Sequence, residues 1–181
     1  MATPPTFSSG AVLTAAQMNS VGLWLVKTQT IGNAVSSISV TNAFSADYEN
    51  YRILISGGTS SVAATYLKFA LTGGSSVYDQ NFIYNTYAGA AVVGAGSVNG
   101  TTWPYAGTCQ STEGTILVVE LQQPFLTKYT MFSAPILNFE LAGTVAGRHK
   151  SATSFTGFTV TPTTGTLTGG TIAVYGYKGT V

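Results

Sequence analysis

From Leu23 onward the chain alternates apolar and polar positions with a period of two. Successive side chains of a β-strand point to opposite faces, so each such run predicts a strand. The sharpest is Tyr66–Leu71, with Leu67, Phe69 and Leu71 on one face and Tyr66, Lys68 and Ala70 on the other. Tyr51, Ile53 and Ile55 share a face in an earlier run, Ile38 and Val40 in another, and Trp24, Val26, Thr28 and Thr30 in the first. Later, Phe158 and Val160 face one way, and within Thr171–Lys178 Ile172 and Val174 oppose Ala173, Tyr175 and Tyr177. That last strand has two adhesive faces, as expected where a sheet packs on a core with one side and on a neighbouring sheet or subunit with the other. Ile116–Leu121 is almost continuous hydrophobe and predicts a central strand covered on both faces. Tyr129–Phe132 and Ile136–Leu141 are further strands. Pro135 between them marks a bulge or an edge, because proline cannot donate a ladder hydrogen bond.

Two stretches depart from the pattern. Thr3–Gly10 is rich in Pro, Ser and Thr, and Thr14-Ala-Ala-Gln17 forms a capping box that predicts a short helix to about Ser20, with Gly22 as its stop. Residues 1–22 are therefore expected to be an arm and helix whose Phe7, Val12, Leu13 and Met18 dock on a larger body, with residues 23–181 forming the β body. Thr72–Gly114 is rich in Gly, Ser, Asn and aromatic residues, with weak strand signals only near Phe82–Tyr84 and Ala91–Val93. It reads as a long polar excursion, and such excursions commonly carry function. Many short strands between Gly and Pro turns, without internal repeats or heptads, predict an all-β fold: a jelly-roll-like β-sandwich with a short N-terminal extended arm and helix.

Composition adds an expectation about the surface. Charged residues make up 7% of the 181, against roughly a quarter in an average soluble domain, while 45% are hydrophobic and 12% aromatic. So few charges suit a subunit covered by copies of itself or by partners. The net charge is +1 and no basic cluster exists, which argues against nucleic-acid binding and against attraction to a membrane surface. No apolar run is long enough to span a bilayer, and the N-terminus lacks the basic and apolar regions of a secretory signal, so synthesis in a cytoplasm without membrane insertion is expected. Cys109 is the only cysteine, which precludes an intrachain disulfide.

Two segments resemble structural proteins of tailed bacteriophages, of the tail-fibre and minor-tail kind. Pro5-Thr-Phe-Ser-Ser-Gly-Ala-Val-Leu-Thr-Ala-Ala-Gln-Met-Asn19 is similar to the segment by which many such proteins attach to the particle. Gly165-Thr-Leu-Thr-Gly-Gly-Thr-Ile-Ala-Val-Tyr-Gly-Tyr-Lys178 resembles the terminal strand motif of fibre-tip β-sandwiches. The resemblance implies a virion location, attachment to other virion proteins through the N-terminal arm, assembly as a homotrimer, and in some members contact with host surface glycans. Long fibres carry shaft repeats between anchor and tip, and this chain has none. A capsid-decoration or head-fibre protein therefore stands beside a short tail fibre, spike or fibre tip as an expectation.

Chemistry-bearing residues are sparse. His149, between Arg148 and Lys150, reads as a solvated turn histidine with no nucleophile elbow to serve. Asp47, Glu49, Asp79, Glu113, Glu120 and Glu140 do not show ligand spacing, so no metal or other cofactor is expected from one chain. Glu120 and Glu140 are the pair that a capsular polysaccharide depolymerase would need, but each is equally served by pointing outward or pairing with Lys128 or Arg148. The expectation is a non-enzyme. Sugar binding has the better case, because aromatic rings stack on the apolar faces of pyranoses and neutral polar groups hold the hydroxyls. Tyr84, Tyr87, Trp103 and Tyr105 are the candidate receptor-binding residues, and filling a subunit interface is the competing role for the same rings.

Overall fold

The computed structural model describes residues 10, 12, 22–89 and 91–177. The expected helix after Thr14, and with it Phe7, Leu13 and Met18, lies outside the described residues. These form fourteen strands and no helix: β1 (Leu23–Thr30), β2 (Ile38–Val40), β3 (Asn50–Ser56), β4 (Thr59–Ser60), β5 (Ala64–Leu71), β6 (Tyr78–Thr86), β7 (Val93–Gly100), β8 (Trp103–Gln110), β9 (Gly114–Gln122), β10 (Thr130–Leu137), β11 (Leu141–His149), β12 (Phe158–Pro162), β13 (Leu167–Thr168) and β14 (Thr171–Tyr177). The fold is all-β, and the strands pair antiparallel. Twelve belong to one connected sheet, with β4 and β13 as a separate pair.

Early strands pair with late ones in a nested order. β1 and β3 flank β14, β2 and β5 flank β12, and β6 pairs with β11, while β8, β9, β10 and β11 follow one another in sequence. The sheet divides at β9. Residues 117–122 of β9 pair with β3, residues 114–117 with β8 and residues 120–122 with β10. A strand has only two edges, so β8 and β10 must share one of them in succession. From there one leaf runs through β8, β5, β12 and β2, and the other through β10, β11, β6 and β7.

The two leaves face each other across aromatic rings, in a sandwich-like arrangement. Phe158 of β12 stacks on Phe69 of β5 with centroids 4.8 Å apart, and Trp103 of β8 stacks on Phe132 of β10 at 4.6 Å. Phe69 lies 6.1 Å from both Trp103 and Phe132, closing the group. The Trp103 indole is fully buried and donates from Nε1 to the Asp79 carbonyl at 3.2 Å, so its one polar atom is satisfied. Gly147 is required beneath it, since a Cβ there would sit 2.7 Å from Nε1. Around the rings, the alternating residues Tyr51, Ile53 and Ile55, Leu67 and Leu71, and Ile172 and Val174 are buried as their period predicts. Gly176 continues the inward face of β14 without a side chain because the Tyr48 ring lies over it.

Several expectations need correction. The region 72–114 is no excursion. It holds β6, β7 and β8, and its polarity reflects a glycine-rich edge strand and a strand with Gln80 buried between Tyr78 and Phe82. In β1 a bulge between Leu25 and Lys27 shifts the register, leaving Thr28 and Thr30 exposed while Lys27 and Gln29 take the partly buried positions. β10 runs unbroken through Pro135, which pairs with Thr144 of β11 beyond the segment of β10 that meets β9. β9 is central, yet it is buried on one face, at Thr115, Leu117, Val119 and Leu121, with Ile116, Val118 and Glu120 partly exposed. His149 is not in a solvated turn. It ends β11, fully buried against the rings of Tyr78 at 4.5 Å and Phe155 at 5.0 Å.

Two measurements follow from this core. Trp103→Ala leaves a large cavity between the leaves and is expected to cost about 3–5 kcal/mol in urea unfolding. Burial holds the His149 imidazole below its ordinary range, opposed less strongly by the Ser75 and Ser151 carbonyls. A depressed histidine binds its proton more readily in the unfolded chain, so its contribution is complete above the unfolded value of 6.5 and is lost as pH falls below it. The urea midpoint should therefore drop between pH 7 and 5, and His149→Gln should flatten that slope. Asp79, held low first by the Asn99 N–H and then by Lys150, loses its contribution only in stronger acid, below 3.8.

Candidate functional site

A row of aromatic rings leads from the core to the surface between the leaves. Tyr84 stacks on the buried Phe82 at 4.7 Å, Phe82 lies 5.0 Å from Tyr105, and Tyr105 meets Tyr66 edge-on at 5.0 Å. Alternation explains the row. Phe82 and Tyr84 lie on one face of β6, and Tyr66 occupies the outward phase of β5 between the buried Thr65 and Leu67.

Tyr66 forms one wall of a cleft of about 140 Å³ that is also lined by Thr65, Thr163, Asn138, Phe139 and Glu140. The near wall is set by Thr163, whose hydroxyl lies 2.9 Å from that of Thr65 and whose N–H donates to the Tyr66 carbonyl at 2.8 Å. The opposite wall is the turn between β10 and β11. Asn138 closes this turn, with its N–H donating to the Leu141 carbonyl at 3.0 Å and its Oδ1 accepting from the Glu140 and Leu141 N–H groups at 2.8 Å each. Such side-chain-to-backbone bonds are why asparagine initiates turns. The turn holds the Phe139 ring half in solvent, and the Tyr87 N–H donates to the Glu140 carbonyl at 2.9 Å, bringing the exposed Tyr87 alongside. Thr108 ties the end of β10 to β8 through a 2.6 Å bond to the Leu137 carbonyl.

The cleft leaves several polar groups unused. Among the described residues, the Glu140 carboxylate, the Asn138 amide N–H groups and the Tyr66 hydroxyl have no hydrogen-bond partner. Burial raises the Tyr66 phenol above its ordinary value, with Tyr105, Tyr84 and Glu140 adding to the shift. The hydroxyl is thus a neutral donor at physiological pH. Ring faces beside free amide, hydroxyl and carboxylate groups form a lining suited to a small polyhydroxylated ring.

Of the expected receptor-binding residues, the structure brings Tyr84 and Tyr105 together in this row and sets Tyr87 beside the turn. Trp103 is a correction: its ring is fully enclosed by core aromatics and cannot stack on any ligand. The cleft itself is lined by Tyr66, Asn138, Phe139 and Glu140, of which the sequence singles out only Glu140, as a candidate catalytic carboxylate. Tyr66 was legible as an outward residue, but its meeting with Glu140 depends on long-range strand pairing. Among the expected anchoring residues only Val12 is described, and it is 89% exposed.

The other chemistry-bearing groups are engaged elsewhere. Glu120 pairs with Arg52 at 3.2 Å, rather than with Lys128 or Arg148, and accepts from the Tyr177 hydroxyl at 2.8 Å. Arg148 and Lys150 both pair with Asp79, at 3.2 and 3.0 Å. Cys109 is buried with its sulfur 3.0 Å from the Thr115 hydroxyl, and burial pushes its thiol up. Among the described residues no three His, Cys, Asp or Glu side chains converge, and no helix is long and apolar enough to cross a membrane.

Asn138→Ala removes the acceptor of two turn N–H groups and is expected to cost about 1–2 kcal/mol, read by urea unfolding, with faster amide exchange at Glu140 and Leu141. No known protein family, curated protein or solved structure matches the chain.

Proposed function

We propose that this chain is a structural and adhesive protein of a bacteriophage particle, a short tail fibre, spike or fibre tip. Residues 1–22 attach it to other virion proteins, and the β body, a jelly-roll-like sandwich assembled as a homotrimer, projects toward the host. The nested pairing of early with late strands supports the jelly-roll description. The observation that carries the adhesive role is the cleft at Tyr66, where aromatic faces and unpaired polar groups meet at the surface of a protein otherwise poor in charge. Its ligand in this reading is a host surface glycan. The lining of the cleft contains the Glu140 carboxylate and no lysine or arginine, which favours neutral or amino sugars over uronic or sialic acids.

The capsid-decoration reading remains the second. The absence of shaft repeats suits it as well as it suits a short spike. A polysaccharide depolymerase is the enzymatic alternative, which Glu140 could serve only with a second carboxyl, and Glu120 is already paired with Arg52.

The test is made on intact particles. Mass spectrometry and labelled imaging should find the chain at tail sites in low copy, whereas high copy spread over the shell supports decoration and absence from particles ends the virion reading. Tyr66→Ala should weaken adsorption about fivefold, the equivalent of about 1 kcal/mol for a lost ring contact, with assembly unchanged. Glu140→Gln should weaken it about tenfold, as expected for a charge-assisted hydrogen bond. Unchanged adsorption in both variants removes the cleft from host recognition, and release of reducing sugar from host polysaccharide would replace adhesion with catalysis.

A further inference from the structure

The branched sheet has three ends, and they are unequal. β2 is three residues long. β1 is bulged and carries Lys27, whose ammonium donates to the Thr41 carbonyl while the Gln29 amide donates to the Ser39 carbonyl at 3.1 Å. Short strands, bulges and lysines are the devices that keep an edge from pairing with another chain. β7 lacks them over most of its length. Residues 93–98 read Val-Gly-Ala-Gly-Ser-Val, without charge or proline, and among the described residues β7 pairs only with β6. Its bulge comes at the far end, beside Asp79.

The side chains of β7 add a second observation. Ala95 and Ser97 lie on the inward side opposite Phe82 and Gln80, so Gly94, Gly96 and Val98 belong to the outer face. Val98 is 75% exposed and is the largest side chain on that face of the strand. With Met131 and Ala146 it lines an open hollow of about 530 Å³, bordered by Asp79 and Arg148. The outer face beyond is uncharged and, apart from the exposed Ile83, built of small or medium residues: by register, Gly96, Asn81, Ala146 and Ser133 form one row across four strands, and Gly94, Ile83, Thr144 and Pro135 the next.

We infer that β7 pairs antiparallel with β7 of a second copy of this chain across a two-fold axis, carrying the sheet from one subunit into the next. A register centred on Gly96 sets Val98 opposite Gly94 of the partner subunit and Ala95 opposite Ser97 of the partner subunit. The one projecting side chain then meets a glycine, and no like charges oppose each other because the strand has none. The complement to this edge is the edge itself, which is the signature of an isologous contact. The contact does not depend on the virion reading. It adds a two-fold to whatever else assembles, so a homotrimer would associate as a pair of trimers.

The full-length chain is tested by sedimentation mass over a range of concentrations, with amide exchange across residues 93–98. The expected result is an even number of chains, with exchange in that segment rising on dilution. Gly96→Lys places two lysines face to face at the axis, and Val98→Lys removes the projecting side chain. Gly96 tolerates the change, since a Cβ there meets only the Gln80 carbonyl at 3.5 Å and its φ is not left-handed. Each variant should weaken the even-numbered assembly by about tenfold or more while far-UV circular dichroism stays unchanged. An odd number of chains, a mass unmoved by both variants, or protection of residues 93–98 that persists in single chains would overturn the inference. The last outcome would assign the edge to another segment of the same chain.

Discussion

The structure depends on the double use of one edge of β9. A β-strand can offer hydrogen bonds along two edges, and here one edge is taken by β3 while the other is divided between β8 and β10. Once β10 replaces β8 partway along the strand, the sheet must split, and its two leaves have to separate to make room for side chains between them. The rings of Phe69, Trp103, Phe132 and Phe158 occupy that room. Backbone pairing thus sets where the gap opens, and aromatic volume sets how wide it is.

The same divergence accounts for the cleft. Where the leaves part toward the surface, the ring row from Phe82 to Tyr66 continues the core outward, and the Asn138 turn closes over it from the other leaf. The cleft is an unfinished end of the core, walled by strands on one side and by a turn stiffened through asparagine on the other. The Tyr66 ring is held in place by its edge-on contact with Tyr105.

Strict alternation made much of this legible in advance. Tyr51 to Ile55, Leu67 to Leu71 and Ile172 to Val174 face as their period requires, because a half-buried strand has no other way to hide apolar residues. Reading failed where composition outweighed period. β7, with glycines at 94, 96 and 100, resembles a loop in composition and becomes a strand only through its pairing with β6. Trp103, expected as a ligand-stacking ring in a polar excursion, instead starts a core strand, and Pro104 is accommodated there because the β5–β8 register shifts between Leu67 and Phe69, where the ladder is irregular. His149, flanked by two cations, reads as a solvent-facing residue, but the alternation of β11 sends Arg148 outward and the imidazole inward. In the ring row behind the cleft, Tyr84 and Tyr105 are within reach of residue type alone. Glu140 is legible as a candidate carboxylate, but its meeting with Tyr66 is not, since the two are 74 positions apart in the chain and meet only through pairings in two different leaves.

Pairing β14 with both β1 and β3 ties residues near 25 and 53 to residues near 175. Contacts so distant along the chain make closure slow, since the entropy of a long loop must be lost before they form. During synthesis β1 and β3 leave the ribosome well before their common partner exists, and β3 emerges with the apolar side of Tyr51, Ile53 and Ile55 uncovered. This protein cannot complete its body piece by piece, and its earliest strands must be sheltered from aggregation until the final one arrives.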